Sequence, residues 1–73
     1  MCLAVAGQVM KIAGDAAMVD FDGLQKRHST LLLPNLAVGD YVLVHAGFII
    51  QKLEPAYALE LIELDKEVGL YDQ

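Results

Sequence analysis

Three side chains in this sequence can act as nucleophile, base or soft metal ligand near neutral pH: the thiol of Cys2 and the imidazoles of His28 and His45. A free cysteine is often just a small buried hydrophobe. At the second position, however, it sits where chains fray, and an apolar terminal patch there must either dock or present something. A small second residue normally allows removal of the initiator Met, and removal of Met1 would set the thiol beside a free α-ammonium, a charge that favours thiolate. His45 ends the apolar run Tyr41-Val42-Leu43-Val44 and directly precedes Ala46-Gly47, where the backbone can turn open. His28, in Lys26-Arg27-His28-Ser29-Thr30, reads as an exposed strand residue in polar company with a structural role.

One thiolate and one imidazole cannot close a metal site, since structural zinc takes about four protein ligands and catalytic zinc about three. The remaining ligands must come from elsewhere. The pair suits zinc, copper or iron better than magnesium or calcium, and an incomplete site on a small acidic domain fits a carrier that shares its metal with a partner protein. The sequence has no phosphate-cradling Gly loop, no H-E-x-x-H and no C-x-x-C. A self-contained enzyme is therefore not expected, and a thiol enzyme built on Cys2 and His45 lacks an evident orienting residue.

The elements that must position these residues are short. Gly and Pro punctuate the chain at regular intervals, with strand-length β-rich segments between them. Gln8–Ala13 is the first, stopped by Gly14-Asp15. Ala16–Phe21 is the second, and Asp22-Gly23 after it is the strongest hairpin signal in the chain. Leu24–Leu33 is expected as a third strand broken by Pro34-Asn35. Tyr41–Ala46 follows, with Tyr41, Leu43 and His45 on one face and Val42, Val44 and Ala46 on the other. Gly47 permits a bend or bulge before Phe48–Leu53. From Pro55 the period changes, and Tyr57, Leu61, Leu64 and Val68 form one stripe of a helix that Gly69 is placed to cap. We expect one mainly β domain over residues 1–73, a small OB-like barrel of about five strands over about residues 1–53, with a C-terminal α-helix over about residues 55–68 packed on the sheet.

With 73 residues the chain has room for one domain, and its 56% hydrophobic residues can supply the dense core that so small a fold needs. Ten acidic against five basic residues give a net charge of −5, the wrong sign for neutralising phosphates, so no nucleic acid partner is expected. Charged residues from Lys11 to Lys52 interrupt the chain long before ~18 apolar residues accumulate, so no bilayer span is expected. The Met1–Gly7 segment lacks the basic stretch of a secretory signal, and a single cysteine fits a reducing cytoplasm.

Two segments, Met1-Cys2-Leu3-Ala4-Val5-Ala6-Gly7-Gln8-Val9 and Val38-Gly39-Asp40-Tyr41-Val42-Leu43-Val44-His45-Ala46-Gly47-Phe48, resemble the HypC/HupF/HybG family of hydrogenase maturation chaperones. That family opens with Met-Cys, a few aliphatic residues, Pro and Gly, and carries Gly-Asp-Tyr-Val-Leu-Val-His-x-Gly-Phe at roughly this spacing. The likeness covers essentially the whole chain. It implies a non-enzymatic OB-like protein that works in the cytoplasm with the HypD scaffold, on which iron acquires cyanide and carbon monoxide. The Fe(CN)2CO unit is then escorted to the precursor of the large subunit of a nickel-iron hydrogenase. The match puts Cys2 on the family cysteine and His45 on the family histidine proposed to contact iron. Of the two segments, Cys2, Leu3, Ala4, Val5, Gly7, Gly47 and Phe48 are expected to meet the partner. Ala6 departs from the pattern, standing where the family usually has Pro, and losing that fixed φ is expected to loosen the terminal segment. The alternative is a β-barrel interaction module that contacts the large-subunit precursor without binding iron, with Cys2 as an apolar or disulfide contact.

Overall fold

The computed structural model describes residues 4–67, with side chains as far as residue 64. Five strands, β1 (Val5–Ala13), β2 (Ala16–Phe21), β3 (Leu24–Ser29), β4 (Tyr41–His45) and β5 (Phe48–Leu53), precede one helix, α1 (Pro55–Glu67). The strands close into a barrel in the order β1-β2-β3-β5-β4, all neighbours antiparallel except the single Ser29–Phe48 pairing of β3 with β5. This is the mainly β, OB-like barrel with a terminal helix that the punctuation of the sequence implies.

Two of the connections follow from turn chemistry. Asp22-Gly23 joins β2 to β3 and Ala46-Gly47 joins β4 to β5, in each case with both central residues at positive φ. That is the hairpin geometry whose twist matches the flanking strands. Closure at so few strands needs corners. In β1, Val9 pairs with Val19 and Lys11 with Met18, leaving Met10 as an extra residue; in β5, Ile50 is extra between Ile49 and Gln51. The bulge in β1 bends a nine-residue strand so that its first half pairs with β4 and its second with β2.

The interior is filled by alternate residues of the strands: Val9, Ala17, Val19, Phe21, Val42, Val44 and Ile49, with Val5, Leu33 and Leu36 packed against them. Gly7 belongs to this wall. A Cβ there would stand 2.6 Å from Cγ1 of Val19 and 2.8 Å from the Asp20 carbonyl, so glycine is what lets β1 lie against β2. A second, outer cluster of Ala6, Leu53 and Ala58, with Tyr41, Leu43, Leu61 and Ile62 around it, fastens α1 to the outside of the barrel.

Four sequence expectations are corrected. The first strand begins at Val5 rather than Gln8, because the apolar residues ahead of Gln8 pair with β4. The third strand stops at Ser29, not Leu33. There the Ser29 hydroxyl accepts the amide of Leu31, the Thr30 amide donates to the Asp15 carbonyl, and the Leu33 amide closes a turn onto the Thr30 carbonyl, so the chain leaves the sheet and tucks Leu33 into the barrel mouth. Ala46 belongs to the hairpin turn and not to β4. The helix packs Ala58, Leu61 and Ile62 on the barrel while Tyr57 and Leu64 are more than half exposed, a face that keeps Leu61 but is turned by roughly 80° from the expected stripe. The small side chains of Ala58 and Ala6, fully buried together, let the helix axis come close there. Val68 and Gly69 lie outside the described residues.

Candidate functional site

The Gly39-Asp40 pair that opens the central segment has a structural task. Gly39 takes φ 98, and the Asp40 carboxylate accepts the Ala37 amide at 2.8 Å, which closes the loop before β4. The backbone then extends the β1–β4 pairing, the Val9 amide donating to the Asp40 carbonyl and the Gly39 amide to the Val9 carbonyl, each at 2.8 Å. Lys52 reaches the same carboxylate at 3.6 Å. These contacts set the register of β4 and so decide what stands at its far end.

His45 stands there. Alternation along β4 turns Val42 and Val44 into the barrel and puts His45 on the outer face shared with Tyr41 and Leu43, half-buried beside its cross-strand partner Phe48. Phe48 is 38% exposed. The turn that follows holds Ala46 at φ 53 and Gly47 at φ 84. A non-glycine residue in this region carries strain, and here it sits next to the imidazole.

The amino-terminal segment arrives at the same end. Val5, first in β1, pairs with Val44, one residue before His45. Ala4 is exposed. Cys2 and Leu3 lie outside the described residues, but Cys2 is only three residues from Val5, a tether of at most about 11 Å. Of the residues expected to form a partner surface, Ala4, Val5, Gly47 and Phe48 gather around His45. Val5 directs its side chain into the core cluster rather than outward. Gly7, opposite Val42, is buried in the wall further along. Ala6 itself is 1% exposed, paired with Leu43 and packed in the cluster beneath α1, so sheet and helix hold this position in place.

His28 is the residue that sequence reasoning misplaced. It is not an exposed strand residue. It pairs with Ala17, shares the inward face of β2, and meets Phe21 edge-on with ring centroids 5.4 Å apart. Both ring nitrogens are buried without a hydrogen-bond partner. Burial pushes its pKa below the usual 6.5; the Gly47 backbone opposes this without completing a hydrogen bond, and the charge of Lys26 adds to it. Because the Ser29 amide donates to the Gly47 carbonyl at 2.9 Å, His28 lies next to the strand end that supports the turn after His45. The Asp22-Gly23 hairpin carried the missed signal: a two-residue turn with Phe21 opposite Leu24 requires His28 opposite Ala17.

Among the described residues, no group of three or more His, Cys, Asp or Glu is placed to hold a metal ion. No helix among them is long and apolar enough to cross a membrane. What these elements define is a small closed barrel with one imidazole at its rim and the first strand beginning beside it.

A sequence profile of the HupF/HypC family matches residues 1–64. The hydrogenase maturation factor HypC of Rhizobium leguminosarum bv. viciae is 38% identical over 73 residues, covering 99% of this chain and 97% of that protein. HypC of Azotobacter chroococcum is 39% identical over 70 residues, covering 94% and 83%, and HypC of Synechocystis is 39% identical over 77 aligned positions, covering 96% and 100%. The chain belongs to the HupF/HypC family, a family of maturation factors rather than enzymes.

Proposed function

We propose that this protein is a chaperone of nickel-iron hydrogenase maturation that carries or shields the Fe(CN)2CO unit together with a HypD-like scaffold and delivers it to the hydrogenase large-subunit precursor in the cytoplasm. The iron unit is cargo. The observation that supports the reading is the pairing of Val5 with Val44, which starts β1, three residues after Cys2 in sequence, beside the end of β4 that carries His45. In this reading Cys2 offers a thiolate and His45 an imidazole to one iron, two donors of the soft-to-borderline class that iron accepts, while the partner supplies the rest. Cys2, Leu3, Ala4, Gly47 and Phe48 meet the partner around the imidazole, while Val5 and Gly7 contribute from within, Val5 by packing on the core and Gly7 by letting β1 seat against β2. Covering this rim keeps water from the cargo.

The test is co-expression with a HypD-like scaffold, followed by pull-down and infrared spectroscopy in the cyanide and carbon monoxide stretching region. The complex should show diatomic bands, and Cys2→Ser should remove them. A complex that forms normally with neither iron nor diatomic bands would favour the interaction module that binds the precursor without metal.

A further inference from the structure

At the opposite end of β4 from His45 lies an open groove of about 850 Å³ between α1 and the outer faces of β1 and β2. Its floor is apolar, made by Tyr41 and Ile62 with Leu59 and Leu64, the last two 53% and 56% exposed. Its rim is acidic: Asp20 and Asp22 on the barrel side face Glu60 and Glu63 on the helix, and among the described residues no Lys, Arg or His lines it. These are four of the ten acidic residues of the chain, gathered on one apolar cleft.

We infer that this groove is a docking site for a basic, amphipathic segment of a partner protein, which lays its apolar side on Leu59, Ile62 and Leu64 while its Lys or Arg residues meet the two carboxylate rims. Charge selects the occupant. A nucleic acid or an anionic membrane would bring further negative charge. A second copy of this chain carries a net −5 with five basic residues to offer, and residues 68–73 contain Asp72 and no basic residue. A cationic partner segment complements both the rim and the floor. Tyr41 and His45 are the two ends of β4, about 13 Å apart along a strand, so an occupant of the groove leaves the His45 end free. Docking here therefore does not depend on iron binding there.

The experiment titrates the 15N-labelled protein with a short leucine–lysine amphipathic peptide and, separately, its leucine–glutamate counterpart, reading amide shifts. The cationic peptide should move Gln8, Asp20, Tyr41 and residues 59–64, and added salt should weaken it. The pair Glu60→Lys and Glu63→Lys should weaken it roughly tenfold or more, the pair Glu60→Gln and Glu63→Gln by less, and Asp15→Lys with Glu54→Lys, which changes net charge equally away from the groove, should leave affinity unchanged. Equal weakening by both lysine pairs, equal binding of the acidic peptide, or shifts confined to His45 and Phe48 would overturn the inference. So would groove shifts that appear without peptide, either on raising protein concentration, which means a second copy, or on deleting residues 68–73, which means the chain's own terminus.

Discussion

Ala46 is the one described residue other than Gly and Asp22 that the fold holds at positive φ, and it does so in a turn where Asn, Asp or Gly is the natural choice. Ala46→Asn should relieve that strain and raise stability by about 0.5–1 kcal/mol, read as a higher urea midpoint or a few degrees in Tm. A loss of stability would mean that the turn is constrained otherwise. His28 gives a pH dependence of definite sign. Its folded pKa is lowered from 6.5 by burial, so above that pH both folded and unfolded forms are neutral and stability is undisturbed. As pH falls below 6.5, the unfolded chain takes up the proton while the folded chain resists it, and stability drops until the lowered folded pKa is reached. Urea midpoints at about pH 7.5 and about pH 5.5 should therefore fall further apart for the wild type than for His28→Phe, which keeps an aromatic ring against Phe21 without the basic nitrogens. Equal pH sensitivity in the two proteins would show that the buried imidazole does not carry the effect.

At the scale of elements, α1 is attached through a contact of small side chains, Ala58 on the helix and Ala6 on β1. Ala58→Leu should force the helix off the barrel and cost roughly 1–3 kcal/mol, measurable as a lower denaturation midpoint, whereas Leu64→Ala at a solvent-facing position should stay within about 0.5 kcal/mol. The reverse ranking would restore the stripe of Tyr57, Leu61 and Leu64 as the packed face. Why that stripe misled is physical. It counts large apolar residues, and this helix spends several of them on its surface, while its closest approach to the barrel is made by alanine. Strands β2 and β5 were readable in full, because turn residues, and Pro55 after β5, bound them, and in β2 alternation runs between. The end of β3 was not, since what stops it is a set of local hydrogen bonds from Ser29 and Thr30 that leaves no mark on the hydrophobic pattern.

For the molecule as a whole, closure of the barrel decides what the candidate site can be. His45 was singled out by its place at the end of an apolar strand, and the β1–β4 pairing adds what no local pattern contains: the amino-terminal segment and the imidazole share one end, although 43 positions separate Cys2 from His45 in sequence. The inward placement of His28 and the acid-rimmed groove likewise depend on register and on the seating of α1. They became visible only once the strands were closed into a barrel.

Joint action of Cys2 and His45 on one iron is the central claim. The most direct measurement is infrared spectroscopy of the anaerobically purified complex with a HypD-like scaffold, comparing wild type, Cys2→Ser and His45→Ala at equal recovery of the complex. Cyanide and carbon monoxide bands are expected in the wild type and should be lost in Cys2→Ser. In His45→Ala they should be shifted or weakened, since removing a nitrogen donor changes the electron density that iron returns to its diatomic ligands. Bands in His45→Ala identical to the wild type in position and intensity would contradict joint contact and leave the thiolate as this chain's sole donor.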